Sequence, residues 1–402
     1  MVCMVCVWVI WNGWAAFFMW LTSWSVISNQ KTMYDFYNLY AEGRWWLSGA
    51  YTTPGTHVFS FPFAYPPSSL PVFGFFAQFP FGVAAQLWTA MGLTVFLVAL
   101  FSVAITFKPE RKYLFISITA LLFFTSYPLR VELQLGQINL FLASLTILSL
   151  TAQRSNHGRV SALLLALGTL LKGPPVLFLL YFVLFRRDLA YLAHFLESTV
   201  AILGISLFVV PVQLYWVWFA NIFPNLFVGA GMPVNESITG ALSMSGLAYL
   251  TPAVFMLGLC ILAAFAYHTY PRQLSKTGGS PVQSSMAGDA MFLLNSLVLL
   301  LIGTRSWPQD YVWVILPTAL FLSALLVGNV KASYFMVVCL AAFLFNFDSY
   351  PLFMYYLSQY TPHASLVPYV QMIGTSMVGG LLMIPCLILL FLRPQAILQR
   401  HR

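Results

Sequence analysis

Charge is what this sequence has least of. Only 7% of its 402 residues are Asp, Glu, Lys or Arg, and only ten are acidic. An ordinary soluble domain carries about 25% charged residues. With 60% hydrophobic residues the chain cannot cover a water-exposed surface. That excludes a soluble enzyme or binding module and reads as an all-α polytopic membrane protein. The net charge of +8 then points to cytoplasmic loops enriched in Lys and Arg rather than to nucleic acid. Cysteine is scarce too. Cys3, Cys6, Cys260, Cys339 and Cys386 all sit in apolar runs, and the Cys3/Cys6 pair has no nearby His or carboxylate. Neither a metal site nor a disulfide is expected. No internal repeat is visible, which disfavours the second reading, a polytopic transporter or lipid-linked sugar flippase.

What is present is a succession of apolar runs of spanning length. Val5–Ile27 lacks a basic leader and a small-residue cleavage site, so it reads as a retained span. Ser68–Pro80 reads as a short interfacial or re-entrant helix. The cytoplasmic turns are fixed by Lys108 to Lys112, Arg154 with Arg159, Arg186-Arg187, Arg272 with Lys276, Lys331 and the tail. On this reading 13 of the 18 basic residues lie inside and four outside (Lys31, Arg44, Arg130, Arg305), with Lys172 within the membrane. Parity makes Lys172 notable. Both flanking basic clusters are inside, so the run between them goes in and returns, in arms of roughly 12 residues or 18 Å. Lys172-Gly173-Pro174-Pro175 is therefore the apex of a short hairpin, at a depth where broken backbone survives only inside protein or beside a wet cavity. The expectation is one integral membrane domain over 1–402 with about 12 transmembrane helices, two of them short. Within it, 28–67 and 211–245 form extracytoplasmic loops with helices of their own, and 271–288 forms a cytoplasmic linker.

The acidic residues sort the other way, with Asp35, Glu42, Glu132, Glu236, Asp310 and Asp348 all on the outer side. An outward-facing enzyme has no cytosolic nucleotides, so a group donor would be carried by lipid. A lipid-linked sugar phosphate needs a carboxylate to take a proton from the attacking hydroxyl. It also needs cations to hold the phosphate that leaves. Asp35 in the first outer loop is the candidate base, and Lys172, Arg130 and Arg305 are the candidate phosphate-binding residues. Tyr37, Tyr65, Gln137, Asn139, Asn235, Trp307, Gln309 and Asp310 are candidates for the sugar and acceptor. Trp45 and Trp46 could also stack on a sugar face.

These residues fall in a pattern that resembles the polyprenol-phosphate-mannose-dependent mannosyltransferases of glycosyltransferase family 87, in the GT-C superfamily. The first-loop pattern is matched by Asp35, Tyr37, Tyr40, Ala41, Leu47, Ser48 and Gly49, and the proline motif by Pro62, Phe63, Tyr65, Pro66 and Pro67. Gly136, Gln137 and Asn139 match a Gly-Gln-x-Asn element, Lys172 the lysine-containing break, and Asn235, Ser237 and Gly240 an Asn-x-Ser-x-x-Gly loop. The resemblance implies a GT-C fold and inverting transfer of a hexose, mannose first, from a polyprenyl-phosphate donor to a glycolipid or glycan. Asp35 is then the general base, with no cofactor. Asp35 and Glu42 form no Asp-x-Asp pair, so no metal is expected. A multi-pass protein of the cell (inner) membrane with an extracytoplasmic site, acting as a monomer, completes the expectation. One departure stands out. Where the family carries His, this chain has Ser306-Trp307-Pro308-Gln309-Asp310-Tyr311, so Gln309 or Asp310 must serve instead. A lipid-linked oligosaccharide ligase or polymerase fits less well, because Pro211–Ser245 has neither Arg nor His.

Overall fold

A computed structural model describes residues 33–49, 65–227, 235–276, 281–304, 306–328, 330–346, 375–392 and 397. The expected first span Val5–Ile27, the segment 50–64, Arg305 and the stretch from Asp348 to Ser365 lie outside the described residues. Among the described residues the regular structure is helical, with no strand. Four helices among the described residues are long and apolar enough to cross a membrane: Phe81–Ala104, Leu189–Leu207, Ala248–Thr269 and Gln309–Val327. A fifth span results if the pair Pro109–Thr125 and Tyr127–Leu135, bent by 61°, counts as one. Several shorter apolar helices accompany them among the described residues, which do not include the expected first span.

The first outer stretch is not an irregular loop at its start. Tyr34–Leu47 is a helix (α1), and Asp35 lies in its first turn. The reason is legible in the residues. Phe36, Leu39, Tyr40 and Gly43 recur at i, i+3, i+4 and i+7 and are the buried face. Phe36 stacks on Trp88 with ring centroids 5.1 Å apart and meets Phe76 edge-on. Leu70–Ala77 (α2) packs on α1 and leads into Phe81–Ala104 (α3).

Pro109–Thr125 (α4) bends at Ser126 into Tyr127–Leu135 (α5), where the Ser126 side chain caps the new helix by accepting from the Leu129 N–H at 3.1 Å. α5 ends at Gly136, whose φ of +69° only glycine adopts without strain. A Cβ there would also lie 2.6 Å from the Phe36 Cβ, so this is where α5 meets α1. Asn139–Arg154 (α6) starts three residues later and packs against α3 and Gly158–Leu171 (α7).

α7 stops at Lys172, which is extended (φ −159°, ψ 114°), and the chain continues as the 3-10 turn Pro174–Phe178 and the π-turn Leu180–Phe185. A Cβ on Gly168 would touch Pro175 at 3.3 Å. In a continuing helix those residues would be about 10 Å apart along the axis, so the chain turns back at Lys172.

Leu189–Leu207 (α8) carries outward-facing Leu196, Val200 and Ile205, as a lipid-facing helix would. Ile315–Val327 (α11) is its opposite, buried almost throughout and packed on α4. Between them in sequence, Thr251–Lys276 (α9) and Pro281–Ile302 (α10) run so far that the expected linker 271–288 is mostly helix, Pro281 starting α10 as a proline can. Only 277–280 of that stretch lies outside the description. The 211–245 segment is likewise largely short helical turns, among them Val212–Val217 and Ile238–Met244.

Candidate active site

The turn between α5 and α6 gathers the polar residues. Gln137 donates through Nε2 to Asp35 Oδ2 at 2.6 Å, while its Oε1 accepts from the Tyr65 hydroxyl at 3.2 Å. A carboxylate only accepts, so the amide can face Asp35 in one orientation alone. Two residues on, Asn139 Oδ1 accepts from Lys172 Nζ at 2.8 Å, and Asn139 Nδ2 donates to Glu132 Oε2 at 3.0 Å. The Lys172 ammonium also stands 5.6 Å from the Tyr65 ring centroid and 3.8 Å from Asp310 Oδ1. Asp35, Gln137 and Tyr65 therefore form one hydrogen-bonded set and Lys172, Asn139, Glu132 and Asp310 a second, and the two meet where the ammonium faces the Tyr65 ring, although together they span 275 positions of sequence. The turn itself is pinned from α3, where Trp88 Nε1 donates to the Gly136 carbonyl at 2.9 Å.

Asp35 is half-buried. Burial pushes its carboxyl above the ordinary aspartate range, while the Gln137 hydrogen bond and the positive charge of Lys172 pull it back. A carboxylate with a raised pKa is a stronger base when ionised. The Tyr65 hydroxyl is pushed up to about 12 by burial, so it stays protonated and keeps donating to Gln137.

Lys172 Nζ carries three donor protons. One is engaged by Asn139, and the Asp310 oxygen at 3.8 Å is beyond hydrogen-bond length. The ammonium, Asn139 and Asp310 line one end of a cavity of about 360 Å³. Its remaining wall is largely apolar, with Leu177, Phe178, Phe223, Phe255, Leu299 and Trp313. A cation at one end of a greasy cavity suits a ligand with an anionic head and a hydrocarbon tail.

The last arc of the site is the 3-10 turn Pro308–Val314, which packs against α5. Asp310 is held by the Trp307 backbone N–H, which donates to its Oδ2 at 2.8 Å, and Gln309 is buried beside it. Asn235 works on the same arc. Its Nδ2 donates to the Thr304 carbonyl at 3.1 Å, and its Oδ1 accepts from the Ser306 N–H at 3.0 Å and the Ser237 hydroxyl at 2.9 Å. The Asn-x-Ser-x-x-Gly element thus ties two chain segments together. Gly240 permits it, since a Cβ there would meet the Asn235 carbonyl oxygen at 2.5 Å.

Other expected residues stand elsewhere. Tyr37 packs edge-on against Phe81 at 5.5 Å, and the Arg130 guanidinium lies over the Tyr127 ring at 5.3 Å. Arg305 is outside the described residues. Glu132 was missed as a site residue. Its signal was a lone acid four residues before the glycine of the Gly-Gln-x-Asn turn. Among the described residues no group of three or more His, Cys, Asp or Glu side chains is placed to hold a metal ion.

Two comparisons with known proteins bear on this arrangement. The sequence profile of glycosyltransferase family 87 matches residues 63–279, more than half of the chain. A Mycolicibacterium smegmatis protein named polyprenol-phosphate-mannose-dependent alpha-(1-2)-phosphatidylinositol mannoside mannosyltransferase is 27% identical over 294 residues. The match covers 68% of this chain and 66% of that relative, so the chain spans just under two thirds of the relative's length.

Proposed function

Because the chain belongs to glycosyltransferase family 87, we propose that it transfers a mannosyl group from a polyprenyl-phosphate donor to a glycolipid on the extracytoplasmic face of the cell membrane. The acceptor is of the phosphatidylinositol mannoside class for which the relative is named. The observation that carries the reading is the junction of Asp35 with Lys172 through Gln137, Tyr65 and the turn to Asn139, beside a cavity with one polar end.

In this mechanism the acceptor hydroxyl oxygen attacks the anomeric carbon from the side opposite the phosphate. Its proton passes to the Asp35 carboxylate. The bond from the anomeric carbon to the phosphate oxygen breaks, and the electron pair leaves with the polyprenyl phosphate. A single displacement inverts the anomeric centre. Gln137 holds one Asp35 oxygen and so directs the other at the hydroxyl. Lys172 faces the charge that grows on the phosphate, and a cation placed there in a water-poor site stabilises the transition state more than the ground state. The apolar walls take the first isoprene units. Every group named comes from one chain, so a monomer suffices.

The test is mannosyl transfer in membranes from radiolabelled polyprenyl-phosphate-mannose to extracted glycolipid, comparing the wild type with Asp35→Asn. Loss of the base lowers the rate by about 10²–10⁴-fold with insertion unchanged. Full activity in Asp35→Asn would move the base elsewhere. A wild type that transfers no mannose but does use another lipid-phosphate sugar would correct the donor alone.

A further inference from the structure

The mechanism above leaves unused a fully buried acid beside the site. Glu132 is 1% exposed, on α5, one helical turn before the Gly136 bend. Both of its oxygens are occupied: Oε2 accepts from Asn139 Nδ2 at 3.0 Å, and Oε1 accepts from the Leu140 backbone N–H at 2.9 Å. The second contact caps the first turn of α6, whose opening N–H groups have no partner inside the helix. The first contact has a consequence for chemistry. Asn139 has one donating and one accepting end. Both Glu132 oxygens accept and Lys172 offers only donors, so Asn139 sits between them with its NH2 towards Glu132 and its oxygen towards Lys172.

We propose that Glu132 is a positioning residue for the donor phosphate: it fixes the Asn139 amide with its oxygen towards Lys172, and so holds the ammonium at the polar end of the cavity. This rests on the donor-phosphate role given to Lys172 above. The chain of action runs Glu132, Asn139, Lys172. Glu132 lies behind Asn139 and does not line the cavity that Asn139, Lys172 and Asp310 share.

Glu132→Gln tests it with almost no change of shape. A carboxamide accepts with one end and donates with the other. The Leu140 N–H is fixed in the helix, so the new oxygen must serve it and the new NH2 faces Asn139. Asn139 then turns over and presents its own NH2 to the Lys172 ammonium, and two donors cannot bond. Three readouts follow. Labelling of Lys172 by an amine-reactive reagent, followed by mass spectrometry of its peptide, becomes several-fold faster. The kcat/KM for polyprenyl-phosphate-mannose falls roughly tenfold, as expected for a lost hydrogen bond to a charged group, while KM for the glycolipid acceptor holds. Adding Asn139→Asp to Glu132→Gln restores both, because the relocated carboxylate accepts from the new amide on one side and from Lys172 on the other.

A merely structural glutamate would not behave so. Its loss would act on both substrates, would add to Lys172→Met, and would not be repaired by a second substitution at 139. Unchanged Lys172 labelling in Glu132→Gln, or no recovery in the double variant, overturns the proposal. The labelling arm needs no sugar transfer. If the wild type proves inactive with every lipid-phosphate sugar, the functional reading falls while the labelling still decides the part played by Glu132.

Discussion

α6 has an ion cluster at each end, and the two differ in how directly their charged groups bond to one another. At its C-terminal end Arg154 joins Arg111 on Asp289, which is fully buried between them. Arg111 also donates to the Ser323 hydroxyl and the Leu320 carbonyl and lies over the Phe107 ring at 4.1 Å. About 22 Å away, by the 15 steps from Arg154 to Asn139 at 1.5 Å each, the N-terminal end holds Lys172 with one neutral partner and a carboxylate at 3.8 Å, facing a cavity. The first cluster ties α4, α6, α10 and α11 together through the Asp289 carboxylate and the Arg111 guanidinium. The second retains donor capacity directed at open space. In the sequence Arg111 and Arg154 read as cytoplasmic-turn charges, and Lys172 as a charge within the membrane. Bonding separates them: a carboxylate gripped by arginines from two other helices holds those helices together, while an ammonium with one hydrogen bond beside a cavity has donors left for a ligand.

The comparison can be broken by substitution. Asp289→Ala leaves two arginines without their carboxylate, and removing one member of a buried ion cluster costs about 3–5 kcal/mol. Unfolding in detergent should move by that amount, with little change in transfer per folded molecule. A normal unfolding curve with lost transfer would instead assign the Arg111–Asp289–Arg154 cluster to the reaction. Lys172→Met should do the converse, lowering transfer by about 10²–10³-fold with the unfolding curve unmoved. If Lys172→Met unfolds the protein and spares the activity of what remains folded, the two ends of α6 have been assigned the wrong way round.

The parts of the site were easier to read in the sequence than the joins. Asp35 and Lys172 stood out because charges are rare, and Lys172 was placed at a reversal by counting basic residues on either side of it. Gln137 and Asn139 came from a short motif. What joined them was not local. Gln137 reaches Asp35 across 102 positions, and Lys172 reaches Asp310 across 138. Arg130 shows how a helix defeats a search for charge alone. It is two residues from Glu132 on α5, a rotation of about 200°, so the two cannot point the same way. Sequence scarcity singled out Arg130, while the fold put Glu132 in the network. The first outer stretch reads in sequence as a loop with helices of its own, but the break in the apolar run does not say where its helix begins. Phe36 and Tyr40 fall on one helical face and bury against α2 and α3, which carries Asp35 to the network.

The smallest effect sharpens the comparison most, because it concerns how far each charge is satisfied. Burial raises the Asp35 pKa, and Gln137 and Lys172 offset part of that rise. The sign follows. As a base Asp35 must be ionised, so transfer falls as pH drops through its pKa, and the acid limb of the rate profile lies above the ordinary aspartate range. Ionisation also costs the folded state. The contribution of Asp35 to stability is full below the unfolded-state value and is lost as pH rises through the folded one. Gln137→Leu removes a hydrogen bond made to the ionised form, so the acid limb moves to still higher pH. Above that limb the rate recovers to within about tenfold of wild type, since a more basic carboxylate is no worse at accepting a proton. A limb that stays put would mean that Gln137 does not hold the reacting carboxylate. A limb that moves down would mean that the ionised group at Asp35 is opposed, not stabilised, by the turn that joins it to Lys172.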